Sequence, residues 1–154
     1  MLLFRFDLTR TQCPTSKSKL LDYKLLIENQ KYSTALIRVG LALVLLWFGI
    51  DEIANPKNWF GFIPSWLTTS LTFDIENLII LNGILEIIVG ILLLIGFCTR
   101  IVAFIAALHL LFITIIVGYN EIGVRDFGLT LMAVSLIFSG AGVLSLDNKK
   151  DKNG

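Results

Sequence analysis

Four runs of almost unbroken apolar residues, at 33–50, 77–97, 101–118 and 127–146, are separated by polar stretches. Each is about 18 to 21 residues, and at about 1.5 Å of rise per residue such a length crosses a hydrocarbon layer roughly 30 Å thick. Backbone polar groups in lipid must be satisfied within the segment, so each run predicts a transmembrane helix. The link at Cys98, Thr99 and Arg100 is long enough only for an antiparallel hairpin, and the 119–126 link is also short. An all-α, polytopic four-helix bundle of up-down topology follows. The one long connection, 51–76, mixes turn formers with Trp59, Phe60, Phe62 and Trp66. Such a cluster either anchors at the headgroup boundary or caps a pocket that opens outward. Trp47 and Phe48 fall near the same level.

Composition agrees with a membrane protein: 55% of residues are hydrophobic, 16% are charged, and mean hydropathy is +0.78. A formal net charge of +1 without a basic stripe gives no footprint for nucleic acid. The placement of the cations is more informative, since of the 13 Lys and Arg only Lys57 and Arg125 fall on one side of the predicted topology. The positive-inside rule then puts both termini in the cytoplasm and the protein in the cell membrane as a multi-pass chain. Residues 1–32 form a charged leader without the apolar core of a signal peptide. They are expected to be either an amphipathic surface helix or disordered. Residues 33–147 form the membrane domain and 148–154 a basic tail. Cys13 and Cys98 fall on the cytoplasmic side, where a disulfide is not expected.

Lipid gives helices no hydrophobic reward for meeting, so small residues and polar groups must mark the interfaces. Ala35, Ala42 and Gly49 recur every seven residues, and Gly83, Glu86 and Gly90 share one face of the second helix. Glu86 lies near mid-bilayer, where an acid costs about 2.5–3.5 kcal/mol on insertion scales. The surrounding Leu, Ile, Val and Phe, at about 0.3–0.6 kcal/mol each, offset that cost. Asn82 stands one turn away on the same face. His109, the single histidine, comes within about one turn of the depth of Glu86 across the hairpin, so a Glu86–His109 contact is expected. It is either a buried hydrogen bond that fixes register or a protonatable pair serving a bound redox molecule or solute.

Opposite charges at Asp51, Glu52, Arg125 and Asp126 are expected to pair across the outer boundary. Asp126, near the predicted start of the fourth helix, is also suited to cap free N–H groups. Arg38 is expected to snorkel to the inner surface. No Cys or His cluster has metal-ligand spacing, and no phosphate loop or nucleophile motif is present. An organic cofactor would be a lipid-soluble quinone admitted between helices.

Three segments carry a resemblance: LIRVGLALVLLWFGID at 36–51, GILEIIVGILLLIGFCTR at 83–100 and RDFGLTLMAVSLIFSGAGVLSLD at 125–147. They resemble the DoxX family of small four-helix membrane proteins, over about 33–147. The resemblance implies that Glu86, Arg100, Arg125 and Asp126 stand on family motif positions. It also implies membrane redox work, since the founding members are tied to quinone reduction with thiosulfate or to a terminal quinol oxidase. Family members often carry Lys shortly after the glycine that ends helix 1. Here Glu52 follows Gly49, so the chain lacks the lysine of an external anion site. Glu86 and His109 are the candidate catalytic residues, and Asn82, Trp47, Arg125 and Asp126 the candidate cofactor-binding ones. The function expected first is a subunit of a quinone-linked redox system, acting with a partner redox subunit or as a homo-oligomer. The alternatives are a scaffold that holds a soluble partner at the bilayer and a small proton-coupled transporter.

Overall fold

The computed structural model describes residues 16–70, 74–142, 145 and 146. Its long helices are α1 (Ser16–Ala54), α3 (Ile75–Ile95), α4 (Thr99–Val117) and α5 (Glu121–Ser139). A 3₁₀ turn (Pro56–Phe62) and the short α2 (Ser65–Ser70) lie between the first two. Four stretches are long and apolar enough to cross a membrane: Tyr23–Ala54, Ile75–Ile95, Thr99–Val117 and Glu121–Ser139. Their outward faces carry exposed Leu36, Leu43, Leu81, Ile88, Phe112 and Leu131, as a lipid-facing bundle requires. The helix that carries the first span begins well before residue 33. No Gly or Pro interrupts the chain between Ser16 and Gly40, and residues 16–32 continue straight into α1 as one helix. Residues 1–15 of the charged leader and the 148–154 tail lie outside the described residues.

From residue 23 on, burial on α1 starts at Thr34 and repeats at Arg38, Leu41, Ala42, Leu45, Gly49 and Glu52, a stripe with the period of a helix face. This stripe packs on Ile79, Gly83, Glu86, Val89, Gly90 and Leu93 of α3. The two backbones touch. A Cβ on Gly83 would lie 2.7 Å from the Gly49 carbonyl oxygen, and one on Gly49 would lie 2.7 Å from the Gly83 carbonyl oxygen. Farther along, a Cβ on Gly90 would meet Leu46 Cγ at 2.9 Å and the Ala42 carbonyl oxygen at 3.2 Å. In a bilayer this close approach supplies the dispersion contacts that hold helices together.

The α3–α4 reversal takes three residues because two of them are left-handed: Gly96 at φ 71° and Cys98 at φ 45°. The Gly96 and Phe97 N–H groups donate to the Leu92 carbonyl at 3.0 and 3.1 Å and close the end of α3. Arg38 completes this end. It is 1% exposed and donates from Nη1 to the Leu93 and Leu94 carbonyls at 3.1 and 3.4 Å. The snorkelling expected of Arg38 is therefore corrected. The last-turn carbonyls of α3 lack helical partners and attract a cation, and Arg38 faces them because it lies on the buried stripe of α1.

The fourth span is displaced from its predicted place at 127–146. Asn120 caps α5 by accepting from the Gly123 N–H at 2.9 Å, and Gly140 at φ 77° ends it. Glu121, Val124 and Arg125 thus belong to the first turns of the helix although they are not all apolar. Asp126 is the sixth residue of α5, not its cap. Small faces pair α5 with α4: Ala103, Ala106, Ala107 and Leu110 meet Leu129, Ala133 and Leu136. The bundle thus consists of two intimate pairs, α1 with α3 and α4 with α5. The contact between α3 and α4 is much thinner although they are joined by a turn of only three residues.

Candidate functional site

The thin α3–α4 contact opens into a cavity of about 450 Å³ on the side of the bundle away from that turn. Its walls are mostly apolar, from Ile79 and Leu85 of α3 and from Phe112, Ile113 and Ile116 of α4. Leu81 and Phe112 also line it while being 63% and 64% exposed, so the cavity opens through the α3–α4 seam toward the acyl chains. Trp59, Phe62, Ile63 and Leu67 of the long connection close its other end. That connection therefore covers one end of a pocket, which opens sideways through the α3–α4 seam and not outward.

The cap is fastened by its aromatic rings. Trp59 donates its indole N–H to Asp51 Oδ2 at 3.1 Å and meets Phe48 edge-on, with centroids 5.9 Å apart at 89°. The Arg125 guanidinium lies 3.7 Å from the Phe48 ring centroid and 5.8 Å from that of Trp59. Asp51 is thus engaged by Trp59 and Asn55 rather than by a cation of α5.

Polar groups concentrate on the protein side of the cavity. Glu86 is 3% exposed and Asp126 1%, each held inward by a small-residue face of its helix. Arg125 pairs with Asp126 through Nε and Nη2, both 2.7 Å from Oδ1. Glu52, 6% exposed, accepts from Asn82 Nδ2 at 2.8 Å and links α1 to α3 beside the cavity. Three carboxyl groups, one guanidinium, one imidazole and one amide therefore share the wall.

The expected Glu86–His109 bond is not formed. Glu86 lies ten residues before Gly96 and His109 ten after Thr99, so their depths match across the hairpin. However, α3 and α4 stand apart at this level, and the space between them is the cavity. Glu86 Oε2 and His109 Nε2 are both buried without a hydrogen-bond partner. Buried polar atoms are nearly always satisfied, so two orphans on one cavity wall mark a place where something polar can bind.

Five of the six candidate site residues, Glu86, His109, Asn82, Arg125 and Asp126, line this cavity. Trp47 does not. It is 73% exposed and points to lipid, while its neighbour Phe48, about 100° around the helix, meets Arg125. Glu52, Phe48 and Trp59 were not among the candidates. Glu52 had a legible signal, since it continues the seven-residue series Arg38, Leu45 on the buried stripe of α1.

The DoxX family model matches residues 33–119, more than half of the chain. The chain belongs to the DoxX family. The match covers the membrane part of α1, the cap, α3 and α4, and stops just before α5. Within this DoxX protein the matched stretch supplies Glu52, Trp59, Asn82, Glu86 and His109, while Arg125 and Asp126 come from the helix beyond it. No curated protein and no solved structure matches the chain. It is a multi-pass membrane protein whose lipid-facing seam leads to a buried polar cluster.

Proposed function

We propose that this DoxX protein is a membrane subunit of a quinone-linked redox system, with both termini cytoplasmic, and that its cavity receives a quinone headgroup from the bilayer. One observation carries the reading: the unpartnered Glu86 Oε2 and His109 Nε2 on the wall of an apolar cavity open to lipid. The residues fit the group. The volume lies within the roughly 300–1,000 Å³ of small-molecule sites, the apolar walls suit a ring and its tail, and the two orphaned atoms suit carbonyl oxygens. A bound quinone would supply two-electron, two-proton chemistry.

The chain's own residues bind, orient and manage protons. Glu86 holds a proton at Oε2, and His109 donates or accepts one at Nε2. The Asn82–Glu52 bond keeps the Glu86 face of α3 turned inward. The Arg125–Asp126 pair, pinned under Phe48 and Trp59, fixes local charge and shields the cluster from water. Electrons would come from a partner subunit. A scaffold role has one observation in its favour: residues 23–33 of α1 are exposed on every side and offer a handle for a soluble protein. Proton-coupled transport would use the same buried carboxyl.

A titration of the protein in nanodiscs with a short-chain benzoquinone, read by quenching of Trp59, tests the proposal. Saturable quenching is expected. Glu86→Leu, which removes the donor, should weaken it about two- to tenfold, since a neutral hydrogen bond is worth about 0.5–1.5 kcal/mol. Trp47→Phe should leave the affinity unchanged. Non-saturable quenching, or equal affinity in the Glu86 variant, would refute the reading.

A further inference from the structure

A second cavity lies at the opposite end of the bundle, where α1 passes the α3–α4 turn and the end of α5. It encloses about 790 Å³. Its polar walls come from Gln30 and Lys31 of α1, Thr99 and Arg100 of α4, and Ser139 at the end of α5. Among the described residues, none that is acidic lines it. Lys31 and Arg100 form no ion pair or side-chain hydrogen bond with any described residue. The Arg100 guanidinium is nevertheless placed, because it lies against Gly140, where a Cβ would be 3.4 Å from Nε and 3.6 Å from Nη2. A tight reversal through Gly140 and Gly142, both with positive φ, folds the chain back onto α1 beside Lys31 and makes the wall opposite.

We propose that this cavity binds the phosphate group of an anionic membrane lipid. Two cations that pair with no described residue line one concave surface, and the Ser139 hydroxyl and Gln30 amide beside them can donate to phosphate oxygens. The rim distinguishes a lipid from a free anion. Ile101 and Phe138 are 64% and 80% exposed and flank the cations, so acyl chains can lie along them while the phosphate sits inside. Basic pockets between transmembrane helices at the bilayer boundary bind headgroups in this way. The site is separate from the α3–α4 cavity in residues and position, so its test is independent of the quinone reading.

The experiment is native mass spectrometry of the full chain titrated with phosphatidylglycerol or phosphatidylcholine, with and without inorganic phosphate as competitor. Wild-type protein should retain phosphatidylglycerol in preference to phosphatidylcholine. Lys31→Gln should weaken retention about fivefold and the Lys31→Gln/Arg100→Gln pair about 25-fold, by the worth of one cation near an anionic surface. Lys31→Arg should keep it, and so should Lys57→Gln at the other end of the bundle. Because Lys31 is exposed, its single substitution tests the site without threatening the fold. Displacement of the lipid by inorganic phosphate would uphold the phosphate chemistry and move its source into solution. Equal retention by wild type and Lys31→Gln, or no preference between the two lipids, would overturn the proposal.

Discussion

Gly83→Ala should destabilise the protein, whereas the chemically identical Gly128→Ala should not. A methyl on Gly83 would lie 2.7 Å from the Gly49 carbonyl oxygen, 3.1 Å from Glu52 Cβ and 3.1 Å from Ile53 Cγ1. Backbone oxygen cannot swing aside, so α1 and α3 must part by about 0.7 Å to restore ordinary contact. A gap of 0.5–1 Å forfeits about a quarter to a half of the dispersion well along the affected surface. Overpacking of this kind costs about 1–3 kcal/mol. A methyl on Gly128 meets nothing within 4 Å. Both substitutions gain about the same 0.8–1.0 kcal/mol of helix propensity, so the difference between the variants isolates the clash. Reversible unfolding in mixed micelles, followed by circular dichroism, measures it. A difference of about 1–3 kcal/mol in favour of Gly128→Ala is expected. Equal stabilities would show that α1 and α3 are not in backbone contact and would refute the packing described here.

Two further substitutions probe Arg38 and Arg125 by the same unfolding assay. Arg38→Met removes the donors on the Leu93 and Leu94 carbonyls and should cost about 1.5–3 kcal/mol, whereas a variant as stable as wild type would mean that Arg38 reaches the surface instead. Arg125→Met strands Asp126, which is 1% exposed, and should cost about 3 kcal/mol, at the low end for a buried pair because a quarter of the Arg125 side chain is accessible. Adding Asp126→Asn should recover part of that loss, and no recovery would show that Arg125 acts through Phe48 alone.

Much of this architecture is legible in the sequence because lipid imposes strict rules. Run length alone predicts four spans, and the glycines beside Glu86 predict which way it faces, since only a protein-facing surface needs glycine. What escapes is decided by azimuth and by capping. Trp47 and Phe48 share a level, but only the packing of α1 on α3 settles that Phe48 turns toward Arg125. Arg38 looks like an interfacial cation until the end of α3 is seen to stop beside it. The limits of α5 follow from Asn120 and Gly140, local signals that outweigh the apolar run. The cavity could not be read at all, because it arises where α3 and α4 fail to touch.

Glu86 presents its carboxyl to a cavity reached from the lipid. A hydrophobic carbodiimide that modifies carboxyl groups from within the membrane tests this most directly, with peptide mass spectrometry to locate the adduct. Modification is expected at Glu86, suppressed by short-chain benzoquinone and absent in Glu86→Gln. An unmodified Glu86, or modification that proceeds at the same rate with the quinone present, would contradict it.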